Sequence, residues 1–309
     1  MRILVNTTPL MAPLTGVGKY IANIIKMFPL IDQDNQYVYY SGGRFDSDPA
    51  LYNDSSMIRF LYSTKEKIKT FRLVGPLWSR WWLHFRRTIE NKTARLDNID
   101  LYFEPNFIPL PLEASRIVVT VHDLSFLLHP EFHVSAVDHF RKHFQENIHR
   151  AHCIITVSFC AKQDIKEILG INESAIYVIH NGVDHDIYKK YDNQTIAHFR
   201  RIMGLPEGFV LFTGSIEPRK NLGRLINAYL SLPLSLKKEF KLVLVGFKGW
   251  KNESIFQTIK ENRENIIYLG YLDEQSLALT YNCASLLVYP SLYEGFGLPP
   301  LEAMACGTP

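Results

Sequence analysis

Two glutamates that stand eight positions apart, Glu294 and Glu302, carry the clearest chemical signal in this sequence of 309 residues. Glu294 follows the strand-like run SLLVYPS and precedes Gly295 and Gly297, whose backbone N–H groups a ligand can approach. Glu302 is predicted to lie in the first turn of the next helix, where an acidic residue is favourable in any protein. A carboxylate beside glycines at a strand end needs a partner. The pair could therefore flank a ligand that carries many hydroxyl groups.

A basic pair, Arg219 and Lys220, occurs in the run TGSIEPRKN, which follows a predicted strand and opens a helix. Ligands of open α/β sheets bind at the carboxyl ends of strands. An Arg fork and a Lys point charge at that edge could stabilise a diphosphate leaving group in place of a divalent metal. The alternative is a solvated surface pair, but cations at a helix start oppose the helix dipole unless an anion is present. The pattern favours anion binding.

Two glycines, Gly16 and Gly18, lie in the run TGVGKY at the mouth of the first predicted helix, which we expect from about Lys19. Glycines let backbone amides approach oxygen atoms or anions at a helix N-terminus. A dinucleotide-binding fingerprint would need Gly or Ala where Ile21 stands, and a P-loop would need Ser or Thr where Tyr20 stands. A plain turn that caps the helix remains the alternative.

Short apolar, β-branched runs alternate with helical patterns along the chain, and their continuous hydrophobicity indicates strands that are covered on both faces. The predicted fold class is α/β, with two tandem Rossmann-like parallel-sheet domains over residues 1–186 and 187–309. The polar stretch 184–194 is the candidate hinge. A last helix is predicted from Pro299 and Pro300 to a C-cap at Gly307. A doubly wound sheet would continue beyond it, so the second domain is expected to be incomplete.

Composition narrows the class of protein. The hydrophobic content of 47% suits two buried cores, and the net charge of +3 is too small to indicate nucleic-acid binding. The N-terminal run MRILVNTTPL lacks the order of a signal peptide and no run of 18 apolar residues occurs, so we expect a cytoplasmic protein. The four cysteines lack CxxC spacing, which predicts reduced thiols without a disulfide or zinc site.

The motif Glu294 to Glu302, within EGFGLPPLE, resembles that of the retaining GT-B glycosyltransferases of family 4. The runs TGVGKY, VVTVHDLSF, ITVSFCAKQDI, VIHNGVD and TGSIEPRKNL are similar to that family too, in its order and over nearly the whole chain. The mannosyltransferase-like branch, which builds lipopolysaccharide and exopolysaccharide chains, is the most similar. The resemblance implies transfer of a hexose, with mannose from GDP-mannose preferred over a UDP-sugar, to a glycan or lipid-linked acceptor. It implies no metal and no cofactor.

The resemblance also implies residue roles. Arg219 and Lys220 would bind the diphosphate, Glu302 would bind the ribose, and Glu294 would bind the transferred sugar. His122, at the end of VVTVHD, would contact the sugar near the bond that breaks, although a strand-end histidine satisfied by Asp123 is the alternative. The remaining predicted site residues are donor-binding Ser215, Phe296, Gly297 and Leu298, and Gly16 with Gly18 lining the phosphate and acceptor cleft. Many relatives have Arg at the position of Ser215, so Arg219 would have to supply the fork.

Other features left alternatives open. The segment 65–95 carries nine Lys or Arg, two Glu and the tryptophans Trp78, Trp81 and Trp82, which predicts either peripheral docking on an anionic inner membrane face or a plain amphipathic helix. The run Asp184-His185-Asp186 mimics the metal motif of other glycosyltransferases, but it lies in the polar hinge and is rejected as a site.

Rival functions are a nucleotide-sugar epimerase, a phosphorylase of similar shape, or an inactive truncated fragment that serves as a binding or scaffold module.

Overall fold

The computed structural model describes residues 1–11, 16–41, 44–47, 98–111, 114–135 and 137–309. By their contacts these residues form two compact units. The first comprises Met1–Leu124 and His139–His180, and the second comprises Ser125–Asp138 and Asn181–Pro309. The predicted boundary after residue 186 lies a few residues beyond Asn181, where the chain passes into the second unit, and it stays a prediction.

The described part of the first unit contains one sheet with the strand order β3-β2-β1-β4-β5-β6-β7. All neighbouring strands pair in parallel except β2 and β3, which are antiparallel. The strands are β1 (Arg2–Asn6), β2 (Gln36–Ser41), β3 (Arg44–Asp46), β4 (Leu101–Glu104), β5 (Arg116–Val121), β6 (Cys153–Thr156) and β7 (Ile176–Val178). The strands β1, β4 and β5 are buried at most positions, as their continuous apolar sequence predicts.

Helices connect these strands. They are α1 (Gly16–Ile31), α2 (Ser125–Leu128, which groups with the second unit), α3 (Val137–Asn147) and α4 (Phe159–Leu169). The helix α1 begins at Gly16, three residues before the predicted start at about Lys19. Gly16 and Gly18 thus lie inside its first turn, and Gly18 is buried there. The side chains Ile21 and Ile25 of α1 pack on Val5, Tyr39 and Phe103 of the sheet.

The second unit contains a parallel sheet with the order β10-β9-β8-β11 among its described residues. Its strands are β8 (Gly208–Thr213), β9 (Phe240–Val245), β10 (Ile266–Gly270) and β11 (Leu286–Leu287). Its helices are α5 (Asn193–Met203), α6 (Leu222–Leu230), α7 (Leu234–Glu239), α8 (Glu253–Glu261), α9 (Glu274–Cys283) and α10 (Leu298–Cys306). Two parallel α/β sheets confirm the predicted fold class.

The helix α5 was not predicted, because the polar composition of residues 184–194 masked its start. Asp192 caps it by accepting a hydrogen bond from the backbone N–H of Thr195 at 2.9 Å, and Gly204 ends it in the left-handed conformation. The polar stretch before it also contains Tyr188, of which only 2% is exposed and which packs in the core of the second unit. The stretch is therefore anchored at one aromatic residue and is not solvated throughout.

The carboxyl ends of β8 and β9 approach each other closely at two glycines. Gly246 has a φ of 142°, and a Cβ atom there would lie 2.0 Å from the carbonyl oxygen of Gly214. Only glycine can occupy this position. The close approach brings the loops that follow the two strands together at the edge where α/β sheets bind ligands.

No helix among the described residues is long and apolar enough to cross a membrane. The basic segment 65–95 with its three tryptophans lies outside the described residues. Its predicted contact with an anionic membrane surface therefore stays a prediction.

Candidate active site

Four charged side chains converge at the carboxyl edge of the second sheet, and we call them the charge cluster: Glu217, Arg219, Lys220 and Glu294. The first three lie in the loop and short 3₁₀ turn (Pro218–Lys220) between β8 and α6, while Glu294 lies in the loop between β11 and α10. Because β8 and β11 are neighbours in a parallel sheet, their carboxyl ends meet at one edge. Arg219 and Lys220 both contact Glu294 at this edge.

Arg219 is held by three protein groups. Its Nε and Nη2 donate to Oε1 of Glu217 at 3.2 and 2.9 Å. Its Nη1 donates to Oε2 of Glu294 at 2.7 Å and to the carbonyl oxygen of Tyr293 at 2.9 Å. Charge-assisted bonds of this kind are stronger than neutral ones, so Arg219 links the β8 loop to the loop that carries Glu294.

Lys220 approaches Glu294 from the other side. Its Nζ donates to Oε1 of Glu294 at 2.5 Å and to the hydroxyl of Tyr289 at 3.0 Å. Burial lowers the pKa of Lys220, and the Glu294 carboxylate opposes that effect. Burial acts to raise the pKa of Glu294, but Lys220 and Arg219 outweigh it and bring that pKa below its ordinary value. Glu294 is thus ionised at neutral pH.

Glu302 lies outside the charge cluster. It is buried, with 5% of its surface exposed. Its Oε2 accepts from the hydroxyl of Tyr281 at 2.9 Å, and that hydroxyl also contacts Oγ1 of Thr213 at 3.0 Å. The expectation that Glu302 lies in the first helical turn is wrong, because α10 begins at Leu298 and has no acidic residue in that turn. The hydrogen bond from Tyr281, and not the helix dipole, therefore stabilises the buried carboxylate of Glu302.

The backbone ahead of α10 supplies the N–H groups that were predicted for donor binding. Gly297 is the N-cap in a left-handed conformation with φ of 103°, and no side chain caps the helix. Pro299 and Pro300 have no N–H, so Gly297 and Leu298 provide the donors at this end. Both residues are half-buried, as are the predicted Phe296 and Ser215. Their roles in binding a ligand stay predictions.

His122 lies in the first unit, directly after β5, with 9% of its surface exposed. Its Nε2 lies 2.9 Å from the carbonyl oxygen of Pro105. A carbonyl only accepts, so Nε2 carries the proton and Nδ1 presents a lone pair. Burial lowers the pKa of His122, which keeps the ring neutral near neutral pH. Pro105 is thus its hydrogen-bond partner, while Asp123, the partner in the alternative interpretation, acts through its charge to raise the pKa of His122.

The glycine turn of α1 reaches the same edge of the first sheet as His122. Tyr20, which follows Gly16 and Gly18, packs its ring edge-on against His122 with 4.9 Å between ring centroids. Its hydroxyl contacts Oγ1 of Thr120 at 3.1 Å. The turn and the histidine are thus brought together, and the predicted role of the glycines in lining a cleft stays a prediction.

Glu104 was not predicted from the sequence to be a functional residue. It is buried, with 1% of its surface exposed, and it directly precedes Pro105, whose carbonyl oxygen binds His122. Its Oε2 accepts from Nδ2 of Asn6 at 2.7 Å and from the hydroxyl of Tyr102 at 2.5 Å, and its Oε1 accepts from the N–H of Asn106 at 3.0 Å. Burial raises the pKa of Glu104 to about 8 against these three donors. An acidic residue at the end of a buried strand, in the run LYFEP, was the available signal.

Two further residues of the second unit were missed. Glu217 stands two positions before Arg219 and is buried, and Tyr289 contacts Lys220 through its hydroxyl. Their sequence signal was weak, because a glutamate in a loop is usually solvated and a tyrosine at a strand end usually packs. Tyr289 contacts Lys220, which lies 69 positions away and which local sequence does not specify, whereas Glu217 contacts the nearby Arg219 only because the loop folds back on itself.

The fold is shared with solved glycosyltransferases. HepE from Anabaena, solved with UDP and glucose, superimposes with a TM-score of 0.65 and 18% identity over 100% of this chain and 79% of that one. WaaG, a glycosyltransferase involved in lipopolysaccharide biosynthesis, gives a TM-score of 0.66 with 16% identity over 100% and 80%. These similarities show that the two Rossmann-like sheets belong to the GT-B fold class.

Sequence comparisons name the family. The model for Glycosyltransferase Family 4 matches residues 15–187, and the model for Glycosyl transferases group 1 matches residues 195–309. The chain is 30% identical to the O-antigen chain mannosyltransferase B of Escherichia coli, over 100% of this chain and 81% of that protein. It is 28% identical to the O-antigen chain mannosyltransferase RfbU of Salmonella typhimurium, over 78% and 63%. The chain belongs to glycosyltransferase family 4, as its motifs predicted.

Proposed function

We propose that this glycosyltransferase moves a hexose, with retention of the anomeric configuration and without a metal ion, from a nucleotide diphosphate sugar to a glycan or lipid-linked acceptor in cell-envelope glycan synthesis. The observation that carries the proposal is the charge cluster, in which buried cations and the Glu294 carboxylate share one sheet edge. Mannose from GDP-mannose is the preferred donor, since two similar proteins are named as O-antigen mannosyltransferases. A UDP-sugar is the alternative.

The proposed roles follow from chemistry. Lys220 is a point charge at the edge where a diphosphate would lie, and the N–H groups of Gly297 and Leu298 can add hydrogen bonds to the donor. Ionised Glu294 accepts hydrogen bonds from sugar hydroxyls. Glu302, oriented by Tyr281, accepts from ribose hydroxyls. In the first unit, His122 offers the Nδ1 lone pair to a hydroxyl of the sugar.

Transfer would follow a front-face path. The bond between C1 of the sugar and the diphosphate oxygen breaks, and the acceptor oxygen forms its bond to C1 on the same face. The acceptor hydroxyl gives its proton to the departing diphosphate oxygen, so no other base is required. Charge grows on the diphosphate as its bond breaks, and a buried cation stabilises it more than a solvated cation would. Lys220 thereby takes the place of a metal ion.

The first test measures thermal stabilisation by GDP-, UDP- and ADP-sugars, with and without EDTA. Stabilisation by one nucleotide class that persists in EDTA supports the proposal. Hydrolysis of the stabilising donor is then followed by NMR, where release of the retained anomer is expected. An inverted product, or stabilisation that EDTA abolishes, contradicts the mechanism.

Peripheral membrane docking is a separate part of the proposal and rests on the sequence of segment 65–95. The test is flotation with vesicles of anionic and of zwitterionic lipid. Binding only to anionic vesicles, lost on charge reversal at Arg86 and Arg87, is expected. Equal flotation of the wild type and of the charge-reversed variant contradicts membrane docking through this segment.

A further inference from the structure

Arg219 and Lys220 are neighbours in sequence, but they differ in how many of their donors the protein consumes. A guanidinium has five N–H groups, and Arg219 directs four hydrogen bonds to Glu217, Tyr293 and Glu294. An ammonium has three, and Lys220 donates to Glu294 and to Tyr289. Among the described residues, Lys220 therefore keeps one donor for a ligand, while Arg219 is largely committed to protein acceptors.

The acceptors of Arg219 are fixed, which makes their exchange for a phosphate costly. The Tyr293 oxygen belongs to the backbone, and the side chain of Glu217 is nearly fully buried. The side chain of Arg219 is itself only 14% exposed. Turning its fork toward a diphosphate would leave a buried carboxylate unpaired, and that is strongly unfavourable.

The turn that contains Arg219 also holds the loop of Glu294 through the backbone. The N–H of Leu292 donates to the carbonyl oxygen of Arg219 at 2.9 Å, and Nδ2 of Asn221 donates to the carbonyl oxygen of Pro290 at 3.1 Å. Together with the guanidinium bonds to Tyr293 and Glu294, these contacts fix both the backbone and the carboxylate of this loop. Arg219 is the residue that takes part in most of them.

We infer that Arg219 is a positioning residue, oriented by Glu217, that holds the Glu294 carboxylate for the transferred sugar and does not bind the diphosphate. The inference rests on the proposed function and replaces the predicted diphosphate fork at Arg219. Lys220 is then the cation of the pair that meets the ligand. Loss of Arg219 should damage turnover while sparing nucleotide binding, and loss of Lys220 should damage nucleotide binding.

The test compares Arg219→Gln, Lys220→Gln and a matched control, Arg224→Gln, whose side chain is exposed on α6. Dissociation constants are measured by calorimetry with GDP and UDP, and kcat is measured with the corresponding sugar donor. Lys220→Gln should weaken nucleotide binding at least about 30-fold. Arg219→Gln should leave nucleotide binding within about threefold of the wild type and lower kcat about 100-fold. Arg224→Gln should match the wild type.

A fourth protein separates positioning from stability. Arg219→Gln leaves Glu217 buried without its partner, so the double variant Glu217→Gln with Arg219→Gln removes both charges and should recover the melting temperature. Its kcat should stay low, because Lys220 alone then contacts Glu294 and the bonds from Arg219 to Glu294 and Tyr293 are still missing. Arg219→Lys should restore part of kcat, since one charged donor can still reach the carboxylate.

Two results overturn the inference alone: equal loss of nucleotide affinity in Arg219→Gln and Lys220→Gln, or full recovery of kcat in the double variant. A wild-type protein that binds neither GDP nor UDP overturns the proposed function and the inference with it. Intact nucleotide binding with low kcat in Arg219→Gln and in the double variant supports the inference.

Discussion

The charge cluster of the second unit and the Glu104–His122 region of the first unit treat buried acids in opposite ways. Glu294 meets two cations, which keep its pKa low, whereas the donors that Glu104 meets in the described part of the chain are neutral, and burial raises its pKa to about 8. His122 of the first unit is neutral as well, because burial lowers its pKa. The second unit thus holds full charges at its sheet edge, whereas the first keeps a buried acid and a buried histidine neutral. This division suits a reaction in which charge develops on the donor.

The largest effect is expected from Glu294→Gln, which keeps the shape of the side chain and removes its charge. The cations Arg219 and Lys220 would then face a neutral amide in place of their carboxylate. We expect kcat to fall about 1,000-fold, equivalent to about 4 kcal/mol of transition-state stabilisation. Steady-state kinetics with the donor identified by thermal shift measures it. A loss below tenfold would show that the charge of Glu294 is not used.

The pH dependence of stability should depend on Glu104. A carboxyl group whose folded pKa is raised to about 8 stabilises the protein below its unfolded pKa and loses that contribution as pH rises. The free energy of unfolding should therefore fall between pH 5.5 and 8.5, by about 3 kcal/mol more in the wild type than in Glu104→Gln. Urea denaturation at both pH values measures this, with exposed Glu146→Gln as control. Identical slopes in wild type and Glu104→Gln would mean that Glu104 stays ionised.

His122→Ala should lower kcat about 100-fold, or about 2.7 kcal/mol, because a sugar hydroxyl loses its acceptor. His185→Ala is the control, since that side chain is exposed in the stretch that mimics a metal motif. In the wild type, the acid limb of the kcat/KM profile should lie below pH 6.5, because the lowered pKa keeps His122 neutral there. A limb that lies above pH 6.5 and disappears in His122→Ala would contradict this assignment.

The smallest effect is expected from Glu302→Gln, which changes the proposed ribose contact, remote from the reacting bond. The inhibition constant of the free nucleotide should rise about tenfold, or about 1.4 kcal/mol, with kcat nearly unchanged. Glu294→Gln should show the reverse, leaving that inhibition constant unaltered. Competition assays against the donor measure both. Equal effects of the two variants would refute the division between sugar and ribose.

Much of the fold was predictable, because buried strands and capped helices have local signals. The last helix, Leu298–Cys306, lies where Pro299, Pro300 and the C-cap Gly307 predicted it. The helix α5 was missed although Asp192 and Gly204 mark its ends. The first turn of α10 was misplaced relative to Glu302, because helix starts vary by one or two residues when prolines and glycines lie nearby.

The sequence by itself determined the two α/β sheets and the family, and it singled out Arg219, Lys220 and Glu294, because motif order and hydrophobic period are local properties of the chain. Only the tertiary structure decided that Glu217 accepts hydrogen bonds from Arg219. It also decided that Tyr281 orients Glu302 and that Pro105 fixes the tautomer of His122. Each of these contacts joins atoms whose spacing is set by packing and burial. The type of a residue shows which groups it can bind, and the fold decides which of these groups lies within hydrogen-bond distance of it.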